Sequence, residues 1–197
     1  GAEAKLKQVT GLATHLGATD LDALNRVGVN ALRDLPGSGI VCWGNRTLAA
    51  SNAASEWKYL PVRRTALFIE TSIRRGMGWT VFEPNDEPLW ARVRTSVGAF
   101  LMELFRAGAF QGRTAEESWF VRCDRGTMTA ADIQRGILNL DIGFAPLRPA
   151  EFVVLRISFR AATGRHRKGL QGGDKPLVNR ARQFRSMRTN PTPGPAT

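Results

Sequence analysis

Between Leu89 and Leu104 the residues Leu89, Val93, Val97, Leu101 and Leu104 return at helical spacing along one face, with Trp90, Phe100 and Phe105 beside them. A stripe this long has to be buried against other elements, so it commits the chain to a packed core containing a long helix. The start of that helix is marked. Pro84-Asn85 breaks what precedes it, Asn85 reads as the cap, and Asp86 and Glu87 put carboxylates in the first turn, where the helix dipole favours them. Upstream, Thr80 to Phe82 is β-branched and aromatic, which predicts a strand over residues 78–83.

Other elements follow from the same periodicities. Val27, Val29 and Ala31 alternate with Gly28 and Asn30, a short strand signal that ends at Leu35-Pro36-Gly37; Ile40 to Trp43 reads as a second strand after the Pro36–Gly39 turn. Pro61 suits the first turn of a helix whose stripe is Val62, Ala66, Ile69 and Ile73, with Gly76 as its end. Glu117–Cys123 predicts a strand. Thr129 with Asp132 caps a short helix that Gly136 stops. Leu138, Leu140, Ile142 and Phe144 alternate with polar or small residues, and a last strand carries Val153, Leu155, Ile157 and Phe159 on one face. The order ββαβαβαββ predicts an α/β chain of α+β character, a mixed sheet flanked by helices with extended N- and C-terminal arms. Residues 1–23 read as an arm or loose helix, 24–160 as the folded domain, and 161–197 as an extended or disordered tail.

Charge marks the tail off from the rest. The net charge is +11 over 197 residues, yet residues 161–197 hold Arg165, Arg167, Lys168, Lys175, Arg180, Arg182, Arg185 and Arg188 against the single acid Asp174. Such a segment suits an acidic partner, protein or nucleic acid. No apolar run approaches the ~18 residues that would span a bilayer, so membrane insertion is not expected. Cys42 and Cys123 lie in apolar, strand-like segments and read as reduced, buried small hydrophobes; with His15 and His166 they offer no metal-ligand spacing.

Glu83, Asp86 and Glu87 are the one cluster that resembles paired catalytic carboxylates. No His, Ser or Cys nearby completes a reacting set, so capping and dipole complementarity account for them and no enzyme is expected. Pro36-Gly37-Ser38-Gly39 lacks the spacing and lysine of a phosphate loop. Arg63-Arg64 and Arg74-Arg75 are basic pairs on one helix, read either as a solvated face or as a docking face for an acidic surface.

Several pieces, in order, resemble the C-terminal domain of contractile tail sheath proteins of phage tails, R-type bacteriocins and related injection systems. They are Gly28-Val29-Asn30, the run Arg33–Gly39, Val41–Leu48 (VCWGNRTL), Trp57-Lys58-Tyr59 with Val62-Arg63-Arg64, and Ile69–Ile73. Trp79–Trp90 (WTVFEPNDEPLW), Gly112–Glu117 leading to Phe120–Asp124, and Gly143–Glu151 (GFAPLRPAE) complete the series. The resemblance covers roughly residues 24–160. It implies a structural protein without cofactor whose copies stack as rings or a helix around an inner tube, and contract to drive the tube through a target envelope. Its partners would be other sheath subunits, the tube, baseplate and terminator proteins. Assembly in the bacterial cytoplasm into a virion tail or injection particle is expected. Extended arms that add strands to neighbouring subunits are also implied, and the candidates are residues 24–33 and 152–160, with Val27, Val29, Ala31, Phe152, Val154, Arg156 and Ser158. For docking on the tube or another acidic partner the candidates are Arg63, Arg64, Arg74, Arg75, Arg165, Arg167 and Lys168.

Two departures stand out. The outer domain that usually precedes this one has no counterpart here, so the sequence reads as a fragment, a minimal sheath or a separate sheath-like component. The basic tail is longer than the family pattern. It supports the rival reading, a nucleic-acid-binding module, although the folded part is only modestly basic and its aromatics fall at core spacing.

Overall fold

The computed structural model describes residues 6–51, 55–147 and 153–162. The chain divides into two units, Gly1–Thr65 and Ala66–Thr197.

The first unit is built around a hairpin. Strands β1 (Ala31–Leu35) and β2 (Gly39–Trp43) pair antiparallel, with Arg33 opposite Val41 and Leu35 opposite Gly39. Gly37 and Gly39, at φ 79° and 70°, turn the chain between them, a backbone that glycine adopts without a Cβ penalty. Helix α1 (Ala18–Arg26) precedes the hairpin; Asp20 Oδ2 accepts from the Gly17 N–H at 3.1 Å and sets its start. The arm or loose helix expected over residues 1–23 ends inside helix α1, and the strand expected from Val27 to Leu35 forms only from Ala31 onward. Val27 and Val29 lie between α1 and β1, and Ala31 is the first strand residue. The reason is that Val27 and Gly28 form a turn after α1, in which Gly28 takes φ 85°, so the alternating residues before Ala31 are not extended as a strand.

Helix α2 (Leu60–Gly76) is continuous, with Pro61 in its first turn and Arg74 and Arg75 in its last. In the second unit, Ile69 and Ile73 are fully buried, and the Phe68 ring meets that of Phe100 on helix α3 (Glu87–Arg106) with centroids 6.3 Å apart. The α3 stripe is buried as its spacing predicts: Leu89, Val93, Val97, Phe100, Leu101 and Leu104 are at most 2% exposed. A short helix α4 (Ala115–Ser118) leads into β3 (Trp119–Arg122), so the strand expected from Glu117 starts two residues later. Thr114 explains this, because its hydroxyl caps the Glu117 N–H and holds one helical turn first. Helix α5 (Ala130–Gln134) has the expected reciprocal box between Thr129 and Asp132. Strands β4 (Ile137–Phe144) and β5 (Val153–Arg160) complete an antiparallel sheet in the order β3-β4-β5.

The α+β character stands, with the strands distributed over two antiparallel sheets. Among the described residues, a parallel element enters only at an isolated bridge between Pro84 and Ala162. The segment 78–83 is not a strand but a 3-10 helix, Gly78–Phe82. Thr80 decides it: its N–H and its hydroxyl both donate to Met77 O, at 3.1 and 2.8 Å, and its side chain is buried. A local side-chain bond of this kind competes with a ladder and overrides β-propensity. Asn85 is not the cap of α3 either. Asp86 takes that role, accepting from Leu89 N–H at 3.2 Å, while Asn85 accepts from Trp90 Nε1 at 2.8 Å and donates to Ile137 O at 3.0 Å. It therefore ties the helix start to β4.

A candidate assembly edge on the second sheet

The three-stranded sheet has one buried face and one open face. On β5, Val153, Leu155 and Ile157 point inward while Val154, Arg156 and Ser158 point outward. The inward side is closed by Leu138, Leu140, Ile142 and Phe144 of β4, and Trp119 of β3 comes within 3.6 Å of where a Cβ on Gly98 of α3 would lie.

Main-chain bonds fix which way each β5 residue faces within the sheet. Ala161 N–H donates to Gly136 O at 2.7 Å, one step beyond the Ile137–Arg160 pair. In an antiparallel ladder, paired residues alternate between exchanging both hydrogen bonds and exchanging none. Val153, Leu155, Ile157 and Phe159 therefore bond to β4, and the main-chain groups of Val154, Arg156, Ser158 and Arg160 are directed away from it. At the C-terminal end this outer edge is occupied: Thr80 Oγ1 reaches Arg160 O at 3.4 Å and Ala162 N–H donates to Glu83 O at 2.9 Å. From Val154 to Ser158, among the described residues, no main-chain hydrogen bond meets it. An unpaired strand edge of this kind is a template for another strand.

The outward side chains form rungs across the sheet. Arg122, Asp141 and Arg156 stand opposite one another on β3, β4 and β5. Arg156 donates to Asp141 through two nitrogens, at 2.7 and 2.9 Å, and this fork holds the Asp141 carboxyl below its usual range, with the Arg156 and Arg122 charges adding to it. Next to it, Ser158 Oγ bonds Asn139 Oδ1 at 2.7 Å. The third rung is apolar: the Phe120 ring lies over Gly143, where a Cβ would stand 2.1 Å from the ring, and Val154 follows on β5, 54% exposed. Gly143 is thus required by the close approach of Phe120.

Each acid of the 83–87 cluster has a structural partner. Glu83 pairs with Arg92 at 2.9 Å, Asp86 caps α3, and Glu87 pairs with Arg94 at 2.7 Å. Arg94 also donates to the Cys123 carbonyl. Burial pushes the Cys123 thiol up to about 12, against the opposing Arg94 charge, so it stays protonated; Cys42 is half-buried rather than buried. Among the described residues no cluster of three His, Cys, Asp or Glu side chains is placed to hold a metal, and no helix is long and apolar enough to cross a membrane.

The predicted site residues are distributed as follows. Val154, Arg156 and Ser158, expected on an arm added to a neighbouring subunit, lie here on β5, which pairs with β4 of its own sheet, and stand together on its outer edge. Val27 and Val29 are exposed before the hairpin, and Ala31 is buried at the start of β1. Arg63, Arg64, Arg74 and Arg75 are all exposed on α2. In the first unit Arg63 sits over the Trp57 ring at 4.9 Å, and in the second Arg74 pairs with Glu70 at 3.1 Å. Phe152, Arg165, Arg167 and Lys168 lie outside the described residues. Sequence reading did not bring together the rung partners Arg122, Asn139 and Asp141; alternation along β4 places Asn139 and Asp141 on one face, but the pairing that joins them to β3 and β5 has no local signal.

Residues 52–160 match the phage tail sheath C-terminal domain family. The tail sheath protein of Vibrio phage KVP40 is 26% identical over 151 residues, covering 77% of this chain and 21% of that protein. Among solved structures, a chain of the anti-feeding prophage baseplate superposes with a TM-score of 0.68 at 35% identity, over 78% of this chain and 42% of its own length. A chain of the contracted PVC sheath complex, an extracellular contractile injection system, gives 0.67 at 33% identity, over 78% and 43%. The chain thus spans about a fifth of that curated relative and under half of those structural neighbours. It belongs to the phage tail sheath C-terminal domain family.

Proposed function

We propose that this chain acts as a structural subunit of a contractile sheath, polymerising with further copies around an inner tube and contracting to drive that tube through a target envelope. The observation that carries this reading is the outer edge of β5 between Val154 and Ser158, which no described residue pairs, beside a buried core that holds its shape. Strand addition to such an edge joins subunits through main-chain hydrogen bonds while leaving the core intact. A contact of this heterologous kind, repeated by a rotation that does not close, builds stacked rings or a filament.

The remaining partners follow from surface chemistry. The exposed arginines Arg63, Arg64, Arg74 and Arg75, with Arg165, Arg167 and Lys168 of the basic tail, suit an acidic tube surface. Baseplate and terminator proteins would meet the two ends of the polymer. Assembly takes place in the bacterial cytoplasm, and the product is part of a virion tail or injection particle. The work done is mechanical rather than catalytic.

Negative-stain electron microscopy of the purified protein, with and without a tube protein, tests the proposal. Rings or tubes are expected, with assembly weakening as salt rises. Dispersed monomers at every concentration and with tube present would overturn it. Salt-dependent DNA binding that disappears on deleting residues 161–197, in the absence of polymers, would establish the nucleic-acid reading instead.

A further inference from the structure

The open edge of β5 carries more information than a bare row of main-chain groups. Its three outward side chains continue rungs already begun on β3 and β4. The charged rung alternates in sign, Arg122 then Asp141 then Arg156, and it ends on a cation whose side chain is 69% exposed. Nε and one terminal nitrogen of Arg156 are engaged by Asp141, and among the described residues the other terminal nitrogen makes no hydrogen bond. The neighbouring rungs end on an exposed valine, Val154, and on a hydroxyl, Ser158.

Directly opposed residues on adjacent strands are the unit of sheet stabilisation. Opposite charges and matched apolar pairs contribute, and like charges facing each other destabilise. The inward positions are also constrained, because Val153, Leu155 and Ile157 are buried and a new strand would extend their apolar layer. The 3-10 segment adds apolar surface at the closed end of the edge, with Val81 49% and Phe82 77% exposed.

We propose that this edge selects an extended segment of a second polypeptide with an acidic residue opposite Arg156, an apolar residue opposite Val154 and a small polar residue opposite Ser158, with apolar residues between them. The selected segment is about five residues long, because the bonds of Thr80 and Ala162 close the edge beyond Ser158. The proposal rests on strand addition at β5, and it names the chemistry of the strand that is added. The positively charged tail is a poor occupant, since its cations would face Arg156.

Fluorescence anisotropy with labelled peptides tests this on the full chain. The probes carry the core Thr-Val-Glu-Val-Leu, or the same core reversed, because the strand's direction is open; controls replace Glu with Lys or methylate the main-chain nitrogens that face β5. The Glu peptide in one order is expected to bind roughly 3–10-fold more tightly than its Lys counterpart, a range set by cross-strand charge pairing. The methylated peptide is expected to lose binding. Inverting the whole rung, Arg122→Asp with Asp141→Arg and Arg156→Asp, keeps opposite charges facing each other within the sheet and should reverse the preference toward Lys. Equal binding of Glu and Lys peptides, with amide protection on β5, would overturn the selectivity and leave strand addition standing. No binding by any peptide, and no amide protection, would overturn strand addition itself.

Discussion

The two units differ in how much large apolar volume they enclose. The second unit encloses a core of large side chains, with Phe100, Phe144, Leu101, Leu140 and Ile142 all fully buried, while Val81, Phe82 and Val154 stay exposed at its surface. The first unit buries Ala31, Ile40, Val41 and Val62 and leaves Val27, Val29, Leu32, Trp43, Leu48 and Leu60 exposed. What fixes the first unit is polar. Asn30 accepts from the Arg46 N–H and donates to the Arg46 carbonyl, each at 2.8 Å, acting as a side-chain substitute for a strand partner. Thr47 Oγ1 donates to Trp57 O at 2.7 Å. Gly44 makes the first clamp possible, since a Cβ there would stand 2.5 Å from Asn30 Oδ1. One unit is held by volume, the other by a few directed bonds.

That contrast makes graded predictions. Phe100→Ala, in the volume-held unit, should cost about 3–5 kcal/mol in denaturant unfolding, the usual cost of emptying a buried aromatic site. A cost below about 1 kcal/mol would mean the core is not close-packed. Asn30→Ala should cost about 1–3 kcal/mol through two main-chain groups left without partners, and amides near Arg46 should exchange faster while those of α3 do not change. Equal loss in both regions would break the comparison.

A smaller effect is expected from acid. Asp141 is held below its usual range by Arg156, so its contribution to stability is present above the ordinary carboxylate range and is lost as pH falls through its lowered folded value. Asp141→Asn should flatten that part of the pH–stability curve, read by thermal unfolding between neutral and strongly acid pH. The smallest effect belongs to Leu48→Ser. Leu48 is 87% exposed, and the change should stay within about 0.5 kcal/mol. A larger loss would place Leu48 in a core contact.

The long apolar helix, the Thr129–Asp132 box and the two alternating strands β4 and β5 were legible because each rests on periodicity or capping within a few residues. Reading failed where a single side chain redirected the backbone. Thr80 turned a β-prone run into a 3-10 helix by bonding Met77, and Asn85 left the cap to Asp86 because Trp90 and Ile137 were within its reach. From its sequence helix α1 reads only as an arm or loose helix, and it buries no residue. For the candidate site, Val154, Arg156 and Ser158 could be placed on one face from their spacing, but which main-chain groups face outward depends on the pairing with β4. The rungs through Arg122, Asn139 and Asp141 join residues 15 to 34 positions apart in sequence, and no local pattern encodes that register.

Amide hydrogen exchange along β5, before and after assembly, tests the central claim most directly. In the unassembled protein Leu155 and Ile157, bonded to β4, should be protected while Val154, Arg156 and Ser158 exchange freely, and on polymerisation the second set should become protected as well. Protection of all five before assembly, or no change in Val154, Arg156 and Ser158 afterwards, would contradict it.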